Sequence, residues 1–313
     1  MQVITAFALV YVLWGSTYLG IAIAVRHIPP LMMGATRFLI AGVLMLAWRK
    51  ANGHAILLPA RDMFRLTVIG VLLLTTGNVL LGKAETIIGS GLSALLIAIT
   101  PLWFLILERF FFARGDRIAP RGLAGIALGL VGVVVLLWPD ITGAVRMGHR
   151  ELLGAGIVLF SSMSWATGSV LSKRWHVAAD PYTSSGWEMF NAGLINLVLA
   201  FLFGEQHTTV WERHSVMAIA YLVVAGSLVG FTAYVWLLRN VPTPKVATYA
   251  YVNPIVAMLL GWLVMGEKVT PYILGGAAVV VASVVLVTGA KTHQKPLATP
   301  VLEEVPACES AGD

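Results

Sequence analysis

The chain has 313 residues, 58% of them hydrophobic and only 12% charged, with a mean hydropathy of +0.85. Soluble domains carry about a quarter charged residues, so a water-facing globule is excluded and the composition is that of an integral membrane protein. The net charge of +6 does not indicate a nucleic-acid partner, because the basic residues fall in short loops between apolar runs. The single cysteine, Cys308, excludes internal disulfides and cysteine-ligated metals.

Apolar runs of about 20 residues, the length of a membrane-crossing helix, predict ten segments. Segment 1, near 3–24, holds Trp14 in WGSTY; no basic stretch precedes it, so it is expected to stay as a helix and not to be cleaved. Segment 2, near 31–48, carries Arg37 inside ATRFLIAG. Segment 3, near 64–82, offers Thr75, Thr76 and Asn78, and segment 4, near 88–107, contains Pro101. Segment 5, near 120–138, presents Gly125, Gly129 and Gly132 as a packing face.

In segment 6, near 152–172, Trp165 accompanies Ser161, Ser164, Gly168 and Ser172, a small-residue seam that lets helices approach closely. Segment 7, near 182–203, carries Glu188 inside GWEMFNAG. Segment 8, near 215–238, supplies Thr232 and Tyr234; segment 9, near 246–265, supplies Tyr249, Tyr251, Asn253 and Pro254; segment 10 lies near 271–290. Each is expected to be helical, since lipid leaves backbone groups no other partner. The alternating pattern of a membrane barrel is absent. Residues 291–313 are polar and Pro-containing, which predicts a disordered tail.

Lysine and arginine sort between the two sets of loops. Of 21 such residues, 14 fall on the side that also holds both termini (among them Arg49, Arg65, Lys173, Arg239 and Lys245), six on the other, and Arg37 lies within a span. The richer side is predicted to face the cytoplasm, as in a multi-pass protein of the inner (plasma) membrane.

A self-match organises the whole chain. Trp14 and Trp165 are 151 residues apart, as are Pro30 and Pro181, Arg37 and Glu188, Gly42 and Gly193, and Pro120 and Pro271. Segments 1–5 (residues 1–139) therefore recur as segments 6–10 (residues 151–290). Five is odd, so the second copy enters from the opposite side. The expected fold is an all-α integral membrane bundle of ten transmembrane helices in two inverted five-helix repeats, an architecture of secondary transporters.

Arg37 and Glu188 each lie seven residues past a proline, about 10 Å deep from opposite faces of a core about 30 Å thick. A charge there costs about 2.5–3.5 kcal/mol, so each needs a cavity or a partner. Three readings stand open: the pair locks the halves together, Arg37 holds a substrate carboxylate while Glu188 carries a coupling proton, or each lines a vestibule separately. Pro101 and Pro254 remove one backbone bond each, freeing the carbonyls of Ile97 and Ala250. Such breaks at corresponding places point to a midplane site, or else to packing kinks. The remaining cavity candidates are Trp14, Trp165, Asn78, Tyr234, Tyr251 and Asn253. All seven histidines lie in loops, at span ends or in the tail, and no span holds an aspartate. Neither a metal site nor a nucleophile with its base is legible, so no enzyme, cofactor or metal is predicted. A channel would show rings of like charge or a filter loop.

The stretches WGSTY, PPLMMGATRFLIAG and TPLWF in the first half, and SWATGSV, GWEMFNAG and TYAYVNP in the second, resemble the EamA family of the drug/metabolite transporter superfamily, in particular its YedA-like branch. The resemblance covers nearly all of residues 1–290. It implies two EamA repeats around a central cavity, a bacterial inner-membrane location, and export of small metabolites or drugs. One loop departs from the pattern: ARGDR (113–117) stands where the second half has GEK (266–268). The expectation is a permease exporting amino-acid-like molecules by alternating access, with proton coupling as an option. It would act as a monomer or homodimer whose only partners are substrate and lipid bilayer; the competing class is a non-transporting scaffold or a channel.

Overall fold

The computed structural model describes residues 3–88, 93, 96–111, 117–118, 120–136, 138, 142, 149–265, 271–289 and 292–293. The loop stretches 112–116 and 266–270, part of the opening of segment 4, Cys308 and residues 294–313 lie outside the described residues.

The described chain forms ten helices of twelve residues or more. They are α1 (Val3–Ala24), α2 (Pro30–Ala51), α3 (Ala60–Glu85), α4 (Thr100–Phe111) and α5 (Pro120–Leu136), then α6 (His149–Arg174), α7 (Pro181–Leu202), α8 (Arg213–Asn240), α9 (Tyr249–Met265) and α10 (Pro271–Gly289). Six of them, α1–α3 and α6–α8, are long and apolar enough to cross a membrane, and α5 and α10 add the shorter apolar stretches Pro120–Val135 and Leu274–Val287. Two residues of the expected tail, Thr292–His293, pair antiparallel with Arg117–Ile118.

Proline sets the helix starts. Pro30, Pro120, Pro181 and Pro271 are the first residues of α2, α5, α7 and α10. At that position the missing N–H would have had no intrahelical partner, and the fixed φ favours the helix. Asp180 caps α7 by accepting from the backbone N–H groups of Tyr182 and Thr183.

The middles of α3 and α8 are wound more loosely than an α-helix, over Val71–Val79 and Leu222–Phe231. These stretches begin 151 residues apart. The carbonyls displaced by the wider turns find donors on other helices: Ser161 donates to Gly77 at 2.6 Å, Ser164 to Leu72 at 2.9 Å, and the Trp14 indole to Gly226 at 3.1 Å. In lipid such cross-helix donors are what makes an irregular helix tolerable.

Packing follows the same offset. α2 lies along α7 and α5 along α10, each over most of its length, while α1 packs on α8 and α9, and α6 on α3 and α4. Glycine permits the closest approaches. A methyl group on Gly42 would sit 2.5 Å from the Phe190 backbone nitrogen, and one on Gly193 would sit 2.6 Å from that of Leu39. Farther along the same pair, Gly186 abuts Leu46, so numbering falls on α7 as it rises on α2: the helices run antiparallel. Gly129 against Ser283 and Gly132 against Val280 repeat the pattern for α5 and α10.

One large apolar cluster joins α1–α3 with α6–α9, and a second forms where Tyr251 of α9 enters between α5 and α10. Large side chains such as Phe64, Val198, Phe201 and Leu274 stay exposed on the outside of the bundle, the surface that hydrocarbon covers.

Candidate functional site

A chamber of about 690 Å³, open space at its mouth included, lies between the two halves. Its wall takes Trp14, Thr17, Tyr18 and Ile21 from α1, Arg37 and Phe38 from α2, and Leu74, Gly77, Asn78 and Leu81 from α3. The second half supplies Ser161, Ser162 and Trp165 from α6, Gly226 and Phe231 from α8, and Tyr249 and Asn253 from α9. The lining residues of α1 and α3 climb toward their C-termini, and those of α2 lie in its N-terminal half. The chamber therefore occupies the end of the bundle that carries the 25–29 and 203–212 connections.

Four aromatic rings close its floor. Trp14 and Trp165, equivalent positions of the two halves, meet edge to face at 5.4 Å between centroids. Tyr234 packs 4.8 Å from Trp14 and 5.5 Å from Trp165, and Tyr249 stands edge-on to Trp14 at 5.1 Å. The Trp165 indole donates to the Tyr234 hydroxyl at 3.0 Å, which also shares a 2.6 Å bond with Ser169. Tyr234 is fully buried behind the two tryptophans and does not reach the wall.

Beyond this floor the opposite end is tied shut. Tyr11 shares a hydrogen bond with Thr248. Arg49 pairs with Asp180 at 2.9 Å, Arg239 donates to the Ala179 carbonyl and the Ser184 hydroxyl at 2.7 Å each, and Asp62 accepts from the Ala178 N–H at 3.0 Å. Partial burial works against ionisation of Asp180. Its bonds from the Thr183 hydroxyl and N–H, the Arg49 charge and the Tyr182 N–H outweigh that, and hold the carboxyl below its ordinary range.

Arg37 is the one charged residue of the described wall. It is 4% exposed. Its Nε donates to Ser227 at 2.9 Å, its Nη1 reaches Asn78 at 3.5 Å, and the guanidinium lies 4.9 Å from the Phe38 ring centroid. None of these partners is an anion, so the guanidinium keeps donors for a ligand.

The structure thus brings Trp14, Arg37, Asn78, Trp165 and Asn253 to one wall, with Tyr234 immediately behind. It does not bring Glu188 there. That residue is 1% exposed, its Oε2 has no hydrogen-bond partner, and its field acts on Arg239 and Tyr234. Among the described residues Arg37 and Glu188 form no ion pair. Tyr251 also lies elsewhere: its hydroxyl donates to the Ile126 carbonyl at 3.1 Å, against α5. Pro254 falls inside α9, whereas Pro101 is the second residue of α4, just after a turn at 98–99 that separates α4 from the helical residues 96–97. The Ile97 carbonyl accepts from the Thr100 hydroxyl. Ser227, Tyr18 and Phe38 are site residues that sequence reasoning missed. For Ser227 the available signal was its match, at the same offset, to Thr76.

Two matches to one family model span the chain, over residues 1–138 and 152–289, and its description is EamA-like transporter family. The chain belongs to this family. It is 37% identical over 301 residues to "Uncharacterized inner membrane transporter YedA" of Escherichia coli (strain K12), covering 95% of this chain and 94% of that protein. It is 26% identical over 286 residues to a "Probable amino-acid metabolite efflux pump" of Salmonella typhimurium, covering 88% and 90%. A solved crystal structure superposes with a TM-score of 0.77 at 19% identity, covering 91% of this chain and 95% of that one, so the two share a fold. The family's transporters and this chamber agree: the protein is a membrane transporter with a small-molecule cavity between its halves.

Proposed function

We propose that the protein exports small carboxylate-bearing metabolites across the inner membrane by alternating access of two inverted five-helix halves. The observation that carries the reading is the buried Arg37 guanidinium in the chamber, with neutral partners only. An ion taken out of water without a counter-ion is costly, and a substrate carboxylate would supply the missing partner through paired charge-assisted bonds.

The antiparallel courses of α2 against α7 and of α5 against α10, and the matching loose turns of α3 and α8, support an inverted arrangement in which all ten helices cross. The bias of lysine and arginine then puts both termini and the Arg49–Asp180 tie at the cytoplasm, so the chamber opens outward here. The efflux name borne by the Salmonella relative supports export. Energy comes from an ion gradient; Glu188 does not line this chamber, so a proton bound there would enter from the closed side.

The test is reconstitution into proteoliposomes. Saturable uptake accelerated by unlabelled substrate on the far side is the expected result, and comparing vesicles with and without a pH difference reads the coupling. A flux that rises linearly with concentration would make the protein a channel. No flux for any small carboxylate would leave the scaffold reading.

A further inference from the structure

The residues that meet Arg37 have counterparts in the other half. Shifted by 151 positions, Arg37 becomes Glu188, Ser227 corresponds to Thr76, Gly226 to Thr75, Tyr18 to Ser169 and Ile21 to Ser172. Trp14 and Trp165 exchange with each other. The contacts obey the same exchange: Gly42 on Phe190 is the image of Gly193 on Leu39, and Gly129 on Ser283 that of Gly132 on Val280. If the halves trade arrangements, as the proposed alternating access requires, these counterparts become the wall of a chamber open at the other end.

That image differs from the original in charge. In place of the Arg37 guanidinium it would hold a carboxyl, with the hydroxyls of Thr75, Thr76, Ser169 and Ser172 in the same set. Two atoms of this set are already buried and lack a partner: Glu188 Oε2 and Thr75 Oγ1, in residues 1% and 7% exposed. Arg239 of α8 is the charged group whose field acts on Glu188, and the field of Glu188 acts in turn on Tyr234. Arg239 gives N–H groups to Ala179 and Ser184. α2 brings Arg49, bound to Asp180, and α3 brings Asp62 and Arg65, which lie 3.6 Å apart.

We propose that Glu188 is the centre of a second, latent binding site, which takes an organic ammonium group when the bundle opens at its α6–α7 loop end. Acceptors match the three donors of an ammonium, and the shared Trp14–Trp165 floor offers it aromatic faces. A site for a proton alone would need neither the hydroxyls nor the indoles. The chamber thus reverses its charge preference with its direction of opening: anionic groups are held on one side and cationic groups on the other.

The proposal rests on alternating access, and one experiment separates the two. Full-length protein carrying Cys308→Ser and Ser172→Cys, reconstituted in vesicles, is treated with a membrane-impermeant maleimide from the α6–α7 loop side. Labelling is expected. Its absence would overturn alternating access and this site together. With labelling established, phenylethylamine is expected to protect position 172, while 3-phenylpropionate at about tenfold higher concentration does not. Glu188→Gln should raise the protecting concentration about tenfold or more, and Glu188→Asp serves if that variant does not fold. Equal protection by both compounds, protection indifferent to Glu188, or labelling that follows pH alone would overturn the ammonium site and leave alternating access standing.

Discussion

Replacing Arg37 with glutamine separates a structural lock from a ligand clamp. As a structural element the guanidinium has one short bond, to Ser227 at 2.9 Å, and one long one, to Asn78 at 3.5 Å. Losing the Ser227 bond costs about 1.5–3 kcal/mol. Removing a buried ion without a counter-ion recovers a desolvation penalty of several kcal/mol. The two offset, so the variant should unfold within a few degrees of the parent. As a clamp, its charge-assisted bonds to a carboxylate are worth about 1.5–3 kcal/mol, and binding should weaken about 10- to 150-fold. Quenching of Trp14 and Trp165, both in the wall, reports binding of 3-phenylpropionate, and a thermal melt of the purified protein reports stability. A melt lowered by ten degrees or more, with affinity unchanged in the protein that remains folded, would refute the clamp and restore the lock.

Gly42→Ala and Gly193→Ala should each destabilise by about 1–3 kcal/mol, because the obstacle is backbone that cannot rotate away. Gly156→Ala, which meets nothing within 4 Å, should stay within about 0.5 kcal/mol; equal effects in a denaturation series would contradict the crossing. Tyr234→Phe leaves the Trp165 N–H without its 3.0 Å acceptor and should cost about 1–3 kcal/mol, with a shift in tryptophan emission; an unaltered spectrum would count against the floor described. Asp180 has a lowered folded-state pKa, so its stabilisation is present above the ordinary carboxylate value and fades as pH falls through the lowered one. Asp180→Asn should therefore lose stability at neutral pH and converge with the parent in acid. A constant gap down to the lowest pH would deny the Arg49 pair.

Much of the helix layout was legible because proline and the 151-residue offset are strong local signals. Pro30, Pro120, Pro181 and Pro271 begin helices for the reason that makes proline costly later in a helix. At Pro101 an apolar run continues across the turn at 98–99 that precedes α4, so hydropathy alone does not mark that interruption and the proline is its one local signal. Side-chain direction was harder. A helix that is apolar all round has no stripe to mark its inner face, so Tyr251 looked as suited to the chamber as Asn253, two positions on, and they point to different neighbours. Glu188 was recognisable as needing shelter from lipid, but which half of the bundle is closed belongs to tertiary packing. Arg37, Trp14 and Trp165 were readable because charge and large aromatics inside a span have few tolerable surroundings.

The most direct test is a pair of distances across the two ends of the bundle. In the Cys308→Ser background, spin labels at positions 83 and 150 span one end, and labels at 54 and 240 span the other; all four sites are exposed. Alternating access of the two halves predicts two populations for each pair, with one distance lengthening as the other shortens when 3-phenylpropionate is added. A single fixed distance at both ends, with and without the ligand, would contradict it.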